Sequence, residues 1–308
     1  MTSRGPVAAI DCGTNSTRLL VADAGGRPME RLMRITRLGE GVDATGKLSS
    51  QAVDRCVTVL ADFRAVMDRV GVVRARLVAT SAVRDASNGR DFLSAASAVS
   101  GVEPELLAGV DEGRLSMLGA VSDLDADAGP FLILDIGGGS TELIAGAGPD
   151  DPGLALVSLQ LGCVRLSERF FTSDPPTPSE LRAAEAMVAG ELESAITDQP
   201  ALFGARCLVG LAGTVTTLSS LQLGMGEYDR DVIHHSRLTA SEVAYWYRTL
   251  STENHQARLA RPGMVPGRED VIVGGAMILH AVLTRFGFDE CLVSEADILD
   301  GLVAELLG

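Results

Sequence analysis

The chain has 308 residues, 46% hydrophobic and 22% charged, with a formal net charge of −15. That is an ordinary globular composition, which excludes disordered and collagen-like chains, and the strong acidity argues against binding nucleic acid or an anionic membrane. No stretch approaches the ~18 apolar residues of a membrane span. The opening Met1-Thr2-Ser3-Arg4-Gly5-Pro6 lacks the apolar core of a secretory signal. Five widely spaced cysteines form no metal or CxxC spacing, so reduced thiols in a cytoplasmic protein are expected.

Along the chain, strands are predicted at 7–11, 16–22 and 30–37, then a helix at 50–70. That helix follows the Ser49-Ser50 cap signal and carries Val53, Val57, Leu60 and Phe63 at helical spacing. A strand at 75–80, a helix at 88–99, a strand at 104–108 and a helix at 111–124 complete a βββαβαβα order. The small, acidic stretch Leu124–Pro130 suits a linker. Strands at 131–136, 140–146 and 154–160 reopen the pattern. A helix at 178–197, a strand at 206–211 and a helix from 214 follow, with helices at 239–250 and 268–286. A strand at 290–294 and a helix at 297–307 end the chain. Strands alternating with helices imply α/β layers with mixed sheets.

The sequence repeats itself once. Ile10-Asp11-Cys12-Gly13-Thr14-Asn15-Ser16-Thr17-Arg18-Leu19-Leu20 aligns with Leu134-Asp135-Ile136-Gly137-Gly138-Gly139-Ser140-Thr141-Glu142-Leu143-Ile144, and Asp, Gly, Ser, Thr and Leu fall in register. Each copy reads strand, Asp-x-Gly turn, strand. Such a turn offers successive backbone N–H groups to an anion, and glycine lets the backbone approach a phosphate closely. Gly13, Thr14, Asn15 and Ser16, and Gly137, Gly138, Gly139, Ser140 and Thr141, are therefore expected to bind phosphate. Asp135, Asp11 and Glu142 are expected to hold Mg²⁺ (or Mn²⁺), because carboxylates meet a phosphate chain only through a cation. Arg18 and Arg84 are expected to clamp phosphate, with Arg165 a weaker candidate.

Two other motifs are rejected. Gly41–Leu48 nearly matches a P-loop but ends in Leu where Ser or Thr must hold Mg²⁺. Gly137-Gly138-Gly139 leads into a strand, not the helix a dinucleotide site requires. His234-His235, read as adjacent strand residues, should point to opposite faces and form no site. Gly274-Gly275 in an apolar helix suggests close helix packing.

The duplicated Asp-x-Gly loops resemble the phosphate loops of the superfamily of actin, heat-shock chaperone ATPases and sugar kinases. Narrower motifs resemble one branch, the exopolyphosphatase and guanosine pentaphosphate phosphohydrolase family. They are Ile10–Ser16, Val78–Ala86 with Asn88, Leu107–Leu115, Asp135–Glu142, Leu161–Leu166, Gly210–Thr214, and Val293-Ser294-Glu295 leading into Asp300-Gly301-Leu302. The match runs in order from about residue 7 to 306.

The resemblance implies two actin-like (ribonuclease H-like) α/β domains, 1–126 and 127–296, with an interdomain active-site cleft. The helix at 297–308 is expected to cross back onto the first domain, in a short form without further C-terminal domains. It implies release of the terminal phosphate of polyphosphate or guanosine pentaphosphate, with Glu112 as the acid that activates water. Gly213 and Thr214 are implied as phosphate-binding, and a homodimer is implied as the assembly. Gly109-Val110-Asp111-Glu112 carries Asp111 where the family has a first Glu. A kinase of the same superfold and a nucleotide-state sensor remain alternatives. Because the second half alone carries net −13, no long basic track is expected, and short chains should be preferred.

Overall fold

The computed structural model describes residues 5–308; Met1–Arg4, on which the reading of the N-terminus partly rests, lie outside the described residues. The chain forms two compact units, Met1–Gly119 with Ile298–Gly308, and Ala120–Asp297.

In the first unit, β1 (Val7–Cys12), β2 (Ser16–Ala22) and β3 (Pro28–Ile35) form an antiparallel meander. They are followed by α1 (Val42–Thr45), α2 (Ser50–Val70), β4 (Arg74–Ala79), α3 (Ser81–Asp85), α4 (Gly89–Ser100), β5 (Pro104–Leu106) and α5 (Gly109–Ala120). The sheet order is β3-β2-β1-β4-β5, with β4 and β5 parallel to β1. Helix α2 starts where Ser49 accepts the Ala52 N–H, and ends at Gly71, whose φ of 78° only glycine adopts freely. Its buried stripe is Ala52, Cys56, Leu60, Phe63 and Met67. Val53 and Val57, expected at its centre, lie half-buried on its flank.

The second unit contains β6 (Phe131–Ile136), β7 (Thr141–Gly146), β8 (Ala155–Leu159), α6 (Cys163–Phe170), α7 (Pro178–Asp198), β9 (Cys207–Leu211), α8 (Ala212–Gln222), α9 (Arg230–Ile233), β10 (Arg237–Thr239), α10 (Ala240–Ser251), α11 (His255–Leu259), α12 (Ile272–Phe286) and β11 (Glu290–Val293). Its sheet order is β10-β11-β9-β6-β7-β8. Strands β8-β7-β6-β9-β11 repeat the order and the strand directions of the first sheet, and β10 adds an antiparallel edge. The expected α/β class and repeated actin-like opening are therefore present. Every residue of β1 and β6 is buried, as central strands covered on both faces require.

The last helix, α13 (Ile298–Leu307), belongs to the first unit. Leu299, Leu302 and Val303 pack with Val7, Ala9 and Leu20. A Cβ on Gly301 would lie 2.1 Å from the Leu115 carbonyl, so glycine permits the close approach of α13 to α5. Asp300 pairs with Arg31 at 2.5 Å, and Glu305 with Arg76 and Arg114 at 2.5 and 2.6 Å.

The one-turn helices α1, α3, α9 and α11, the three-residue strand β10 and the two-turn helix α6 escape the sequence reading, because so few residues show no clear period. One consequence is a correction. His234 and His235 do not sit on a strand: His234 caps α9, and His235 has φ 62°. Their rings stack with centroids 3.9 Å apart instead of diverging. Among the described residues no helix is long and apolar enough to cross a membrane.

Candidate active site

The first unit builds its loop between β1 and β2. Gly13 N–H donates to the Ser16 carbonyl at 3.0 Å, and a Cβ on Gly13 would crowd that oxygen at 3.1 Å. The turn is held from one side by the segment after β3. Thr36 and Arg37 N–H donate to the Asn15 carbonyl at 3.1 and 2.9 Å, and Gly39 N–H donates to the Thr14 carbonyl at 2.9 Å. In a trans peptide the next N–H points opposite to the carbonyl, so the Asn15 and Ser16 N–H groups face away from that support. The Asn15 side-chain Nδ2 is buried with no hydrogen-bond partner among the described residues. A buried donor of this kind is costly unless a ligand meets it.

The second unit repeats the device. Cys163 N–H donates to the Gly137 carbonyl at 3.0 Å, and Val164 and Arg165 N–H to that of Gly138 at 2.9 and 3.1 Å. Arg165 Nε donates to the Gly139 carbonyl at 2.8 Å. By the same peptide geometry, the Gly138, Gly139 and Ser140 N–H groups face away from α6. Gly162 permits this docking, because a Cβ there would lie 2.2 Å from the Gly138 oxygen. Gly39 permits the first, because its Cβ would lie 2.3 Å from Thr14 Cγ2. The supports are thus part of the repeat: Leu38-Gly39 and Leu161-Gly162 are matching dipeptides. Gly39 is a residue sequence reading missed, and this recurrence was the signal that could have found it. Arg165, expected as a weak phosphate clamp, holds the loop through its Nε. Thr141 Oγ1 is buried without a hydrogen-bond partner among the described residues.

The loops differ in charge. Asp11 and Arg18 face each other across β1 and β2, and both Nε and Nη2 of Arg18 donate to Asp11 Oδ2, at 3.0 and 2.6 Å. Asp11, expected beside a metal, therefore has that oxygen taken up by a guanidinium. Asp135 and Glu142 face each other at the same register of β6 and β7, both buried. Two carboxylates directly opposite on a ladder repel, and burial intensifies the repulsion. Glu142 Oε1 accepts the Ser158 hydroxyl at 2.7 Å. The donors here are all oxygens, the set a hard divalent cation takes. The residues present fit Mg²⁺.

Further side chains gather beside each loop. In the first unit the Thr14 and Ser81 hydroxyls meet at 2.9 Å, which ties the loop to the start of α3. Arg84, in the last turn of α3, donates from Nη1 to the Leu107 carbonyl at 2.8 Å and lies 3.5 Å from Glu112 Oε2. Glu112 is in the first turn of α5, where the helix dipole favours its charged form. The structure thus brings Gly13–Ser16, Arg18, Arg84 and Glu112 together in one unit.

In the second unit, β9 enters α8 through Ala212, whose φ of 64° is strained for a residue with a Cβ. A Cβ on the next residue, Gly213, would lie 2.2 Å from Arg268 Nη2, so the buried Arg268 guanidinium packs directly on this glycine. Burial pushes the Cys163 thiol pKa up, and the Arg268 charge and the Thr214 hydroxyl pull it partly back. Arg268 therefore stands near the support of the second loop as well as the α8 turn. Sequence reading placed it only as the start of a helix. Thr214 is buried, and its hydroxyl packs toward Cys163 and against Gly275, the close packing expected of the glycine pair. What Thr214 can offer an anion is its backbone N–H.

The chain is similar to known proteins in sequence and in fold. The pattern of the Ppx/GppA phosphatase family matches residues 19–308. Exopolyphosphatase 2 of Mycobacterium tuberculosis is 42% identical over 318 aligned residues, covering 98% of each chain. The crystal structure of an exopolyphosphatase-like protein superposes with a TM-score of 0.92 at 34% identity, covering 98% of each chain. That of the Aquifex aeolicus Ppx/GppA family member gives a TM-score of 0.79 at 31% identity, covering 98% of each.

Proposed function

Because the chain belongs to the Ppx/GppA phosphatase family, we propose that it hydrolyses the terminal phosphoanhydride bond of inorganic polyphosphate, of guanosine pentaphosphate, or of both. A water oxygen attacks the terminal phosphorus. The bond to the bridging oxygen breaks, and its electron pair stays on the shortened chain. Glu112 orients the water and takes its proton. The placement of Glu112 in the first turn of α5, 3.5 Å from the Arg84 guanidinium, is the observation that carries this reading.

The remaining residues bind and orient. Backbone N–H groups of Asn15 and Ser16, and of Gly138, Gly139 and Ser140, hold phosphate oxygens, with Thr14 and Thr141 beside them. Arg84 neutralises charge on the transferred group. Asp11 fixes Arg18, which meets phosphate from the first loop. Gly213 and Thr214 add the N–H groups of the α8 turn. Asp135 and Glu142 are the residues that would hold Mg²⁺ or Mn²⁺; when bound, the ion supplies the positive charge that lets phosphate approach two carboxylates. Asp11, paired with Arg18, is left out of that pair.

The test is phosphate release from polyphosphate, guanosine pentaphosphate and ATP side by side in Mg²⁺. Release from either of the first two is expected. Rapid ATP turnover with negligible release from both would overturn the reading in favour of a kinase or a nucleotide-state sensor. With net −13 on residues 129–308, few phosphates of a long polyanion are neutralised, so long chains should bind weakly. Short chains are then preferred and cleavage is distributive. A long-chain digest should drift down a gel as a ladder, and disappearance of full-length chains without intermediates would contradict this.

A further inference from the structure

Two groups among the described residues bring histidine and carboxylate atoms within metal-ligand reach, Asp123 with His234 and His235, and His255 with Glu269 and Asp270. Their hydrogen bonds separate them. At His234 the Glu295 N–H donates to Nδ1 at 3.1 Å, so the ring proton sits on Nε2 and is donated to Asp123 Oδ2 at 2.7 Å. A ring with both nitrogens engaged in this way has no lone pair for a metal.

His255 is arranged the other way. Asp270 Oδ1 stands 2.6 Å from Nδ1 and accepts its proton, and Nε2, which has no closer partner among the described residues, faces Oε1 of Glu269 at 3.9 Å. That is too long for a hydrogen bond. Two ligands of one cation, with bonds of about 2.0–2.2 Å at a tetrahedral angle, stand about 3.4 Å apart, so an ion would draw these two atoms together by about 0.5 Å. Carboxylate to histidine Nδ1–H, with Nε2 toward the metal, is the outer-shell pattern that fixes a ligating imidazole. The second ligand is fixed as well. Glu269 is buried, and its other oxygen accepts the Gly267 N–H at 2.6 Å. The His255 backbone N–H is held by Asp174 Oδ2 at 2.7 Å, and the ring is 43% exposed, which gives an ion access from solvent.

We propose that His255 Nε2 and Glu269 Oε1 bind a borderline divalent transition cation, Zn²⁺ by class, with Asp270 positioning the imidazole and water completing the shell. One imidazole with one carboxylate selects Zn²⁺ over Mg²⁺. The site ties the start of α11 to the residues just before α12, closing an irregular segment from Ala260 to Val271. Glu269 follows Arg268 directly, so the clip also braces the guanidinium on Gly213. The proposal stands independently of the reaction proposed above.

The test uses the full chain, stripped with chelator and titrated with Zn²⁺ against a chromophoric competitor in excess Mg²⁺, which keeps all-oxygen sites filled. One equivalent should bind and raise Tm. His255→Ala should weaken binding by at least ~100-fold, and Asp270→Asn by about 10–100-fold. His234→Ala should leave it unchanged. Glu269→Gln keeps an oxygen for the Gly267 N–H, so it should fold with an unaltered circular dichroism spectrum and still lose the ion. Absence of binding overturns the proposal. So does binding that survives both His255→Ala and Glu269→Gln, or that disappears with His234→Ala.

Discussion

The two phosphate loops share a backbone and differ in one cross-strand partner. Each unit runs Asp, Gly turn and Ser into its second strand, and docks the turn carbonyls on a Leu-Gly segment that follows its third strand. At the position opposite the aspartate, the first unit has Arg18 and the second has Glu142. In the first loop the aspartate is paired with an arginine of the next strand, whereas in the second a glutamate stands opposite it, the pair proposed above to hold a cation. A duplicated scaffold thus keeps its backbone turn while one residue reverses the charge opposite the aspartate.

The largest test asks what the loops do without a base. Glu112→Gln should leave both loops binding phosphate while release falls by about 10²–10⁴, the loss expected of a general base. Near-normal turnover would move the chemistry elsewhere, with Asp111→Asn the next variant to assay. Binding of a non-hydrolysable polyphosphate analogue separates the two effects.

Next come the two supports. A Cβ on Gly162 would strike backbone, at 2.2 Å from the Gly138 oxygen, whereas a Cβ on Gly39 would strike the movable Thr14 side chain. Gly162→Ala should cost about 2–4 kcal/mol as a strain effect, and Gly39→Ala less than half of that. Equal losses in denaturant melts would mean that the supports are equally rigid.

The charge difference predicts opposite signs. Asp11→Asn leaves Arg18 beside a neutral amide and should destabilise by about 1–3 kcal/mol, below the full cost of breaking a buried pair because Arg18 is 20% exposed. Asp135→Asn removes one of two facing carboxylates. In chelator it should stabilise by about 0.5–1 kcal/mol. Thermal melts with and without Mg²⁺ read both. Stabilisation by Asp11→Asn, or loss of stability in Asp135→Asn without metal, would break the comparison.

The smallest effect is on metal demand. Asp135→Asn should raise the Mg²⁺ concentration needed for half-maximal phosphate release about tenfold, the order of losing one ligand or its outer-shell partner. Asp11→Asn should shift it little. Equal shifts would place metal at both loops.

The sequence by itself determined a great deal here, because the informative signals are local. The bounds of α2, β2 and β6 are legible from cap residues and unbroken apolar runs. The repeat is legible because the Asp-x-Gly turn needs the same residues in both copies. Tertiary structure decided what depends on distant partners. Asp11 and Asp135 look equivalent in the alignment, and only strand register reveals Arg18 against one and Glu142 against the other. Arg268 becomes part of a site only because Gly213 leaves room for its guanidinium. His234 and His235 stack because a one-turn helix and a left-handed residue replace the expected strand. Side-chain periodicity reports which face of an element is buried, but it carries no information on which partner from elsewhere in the chain meets that face.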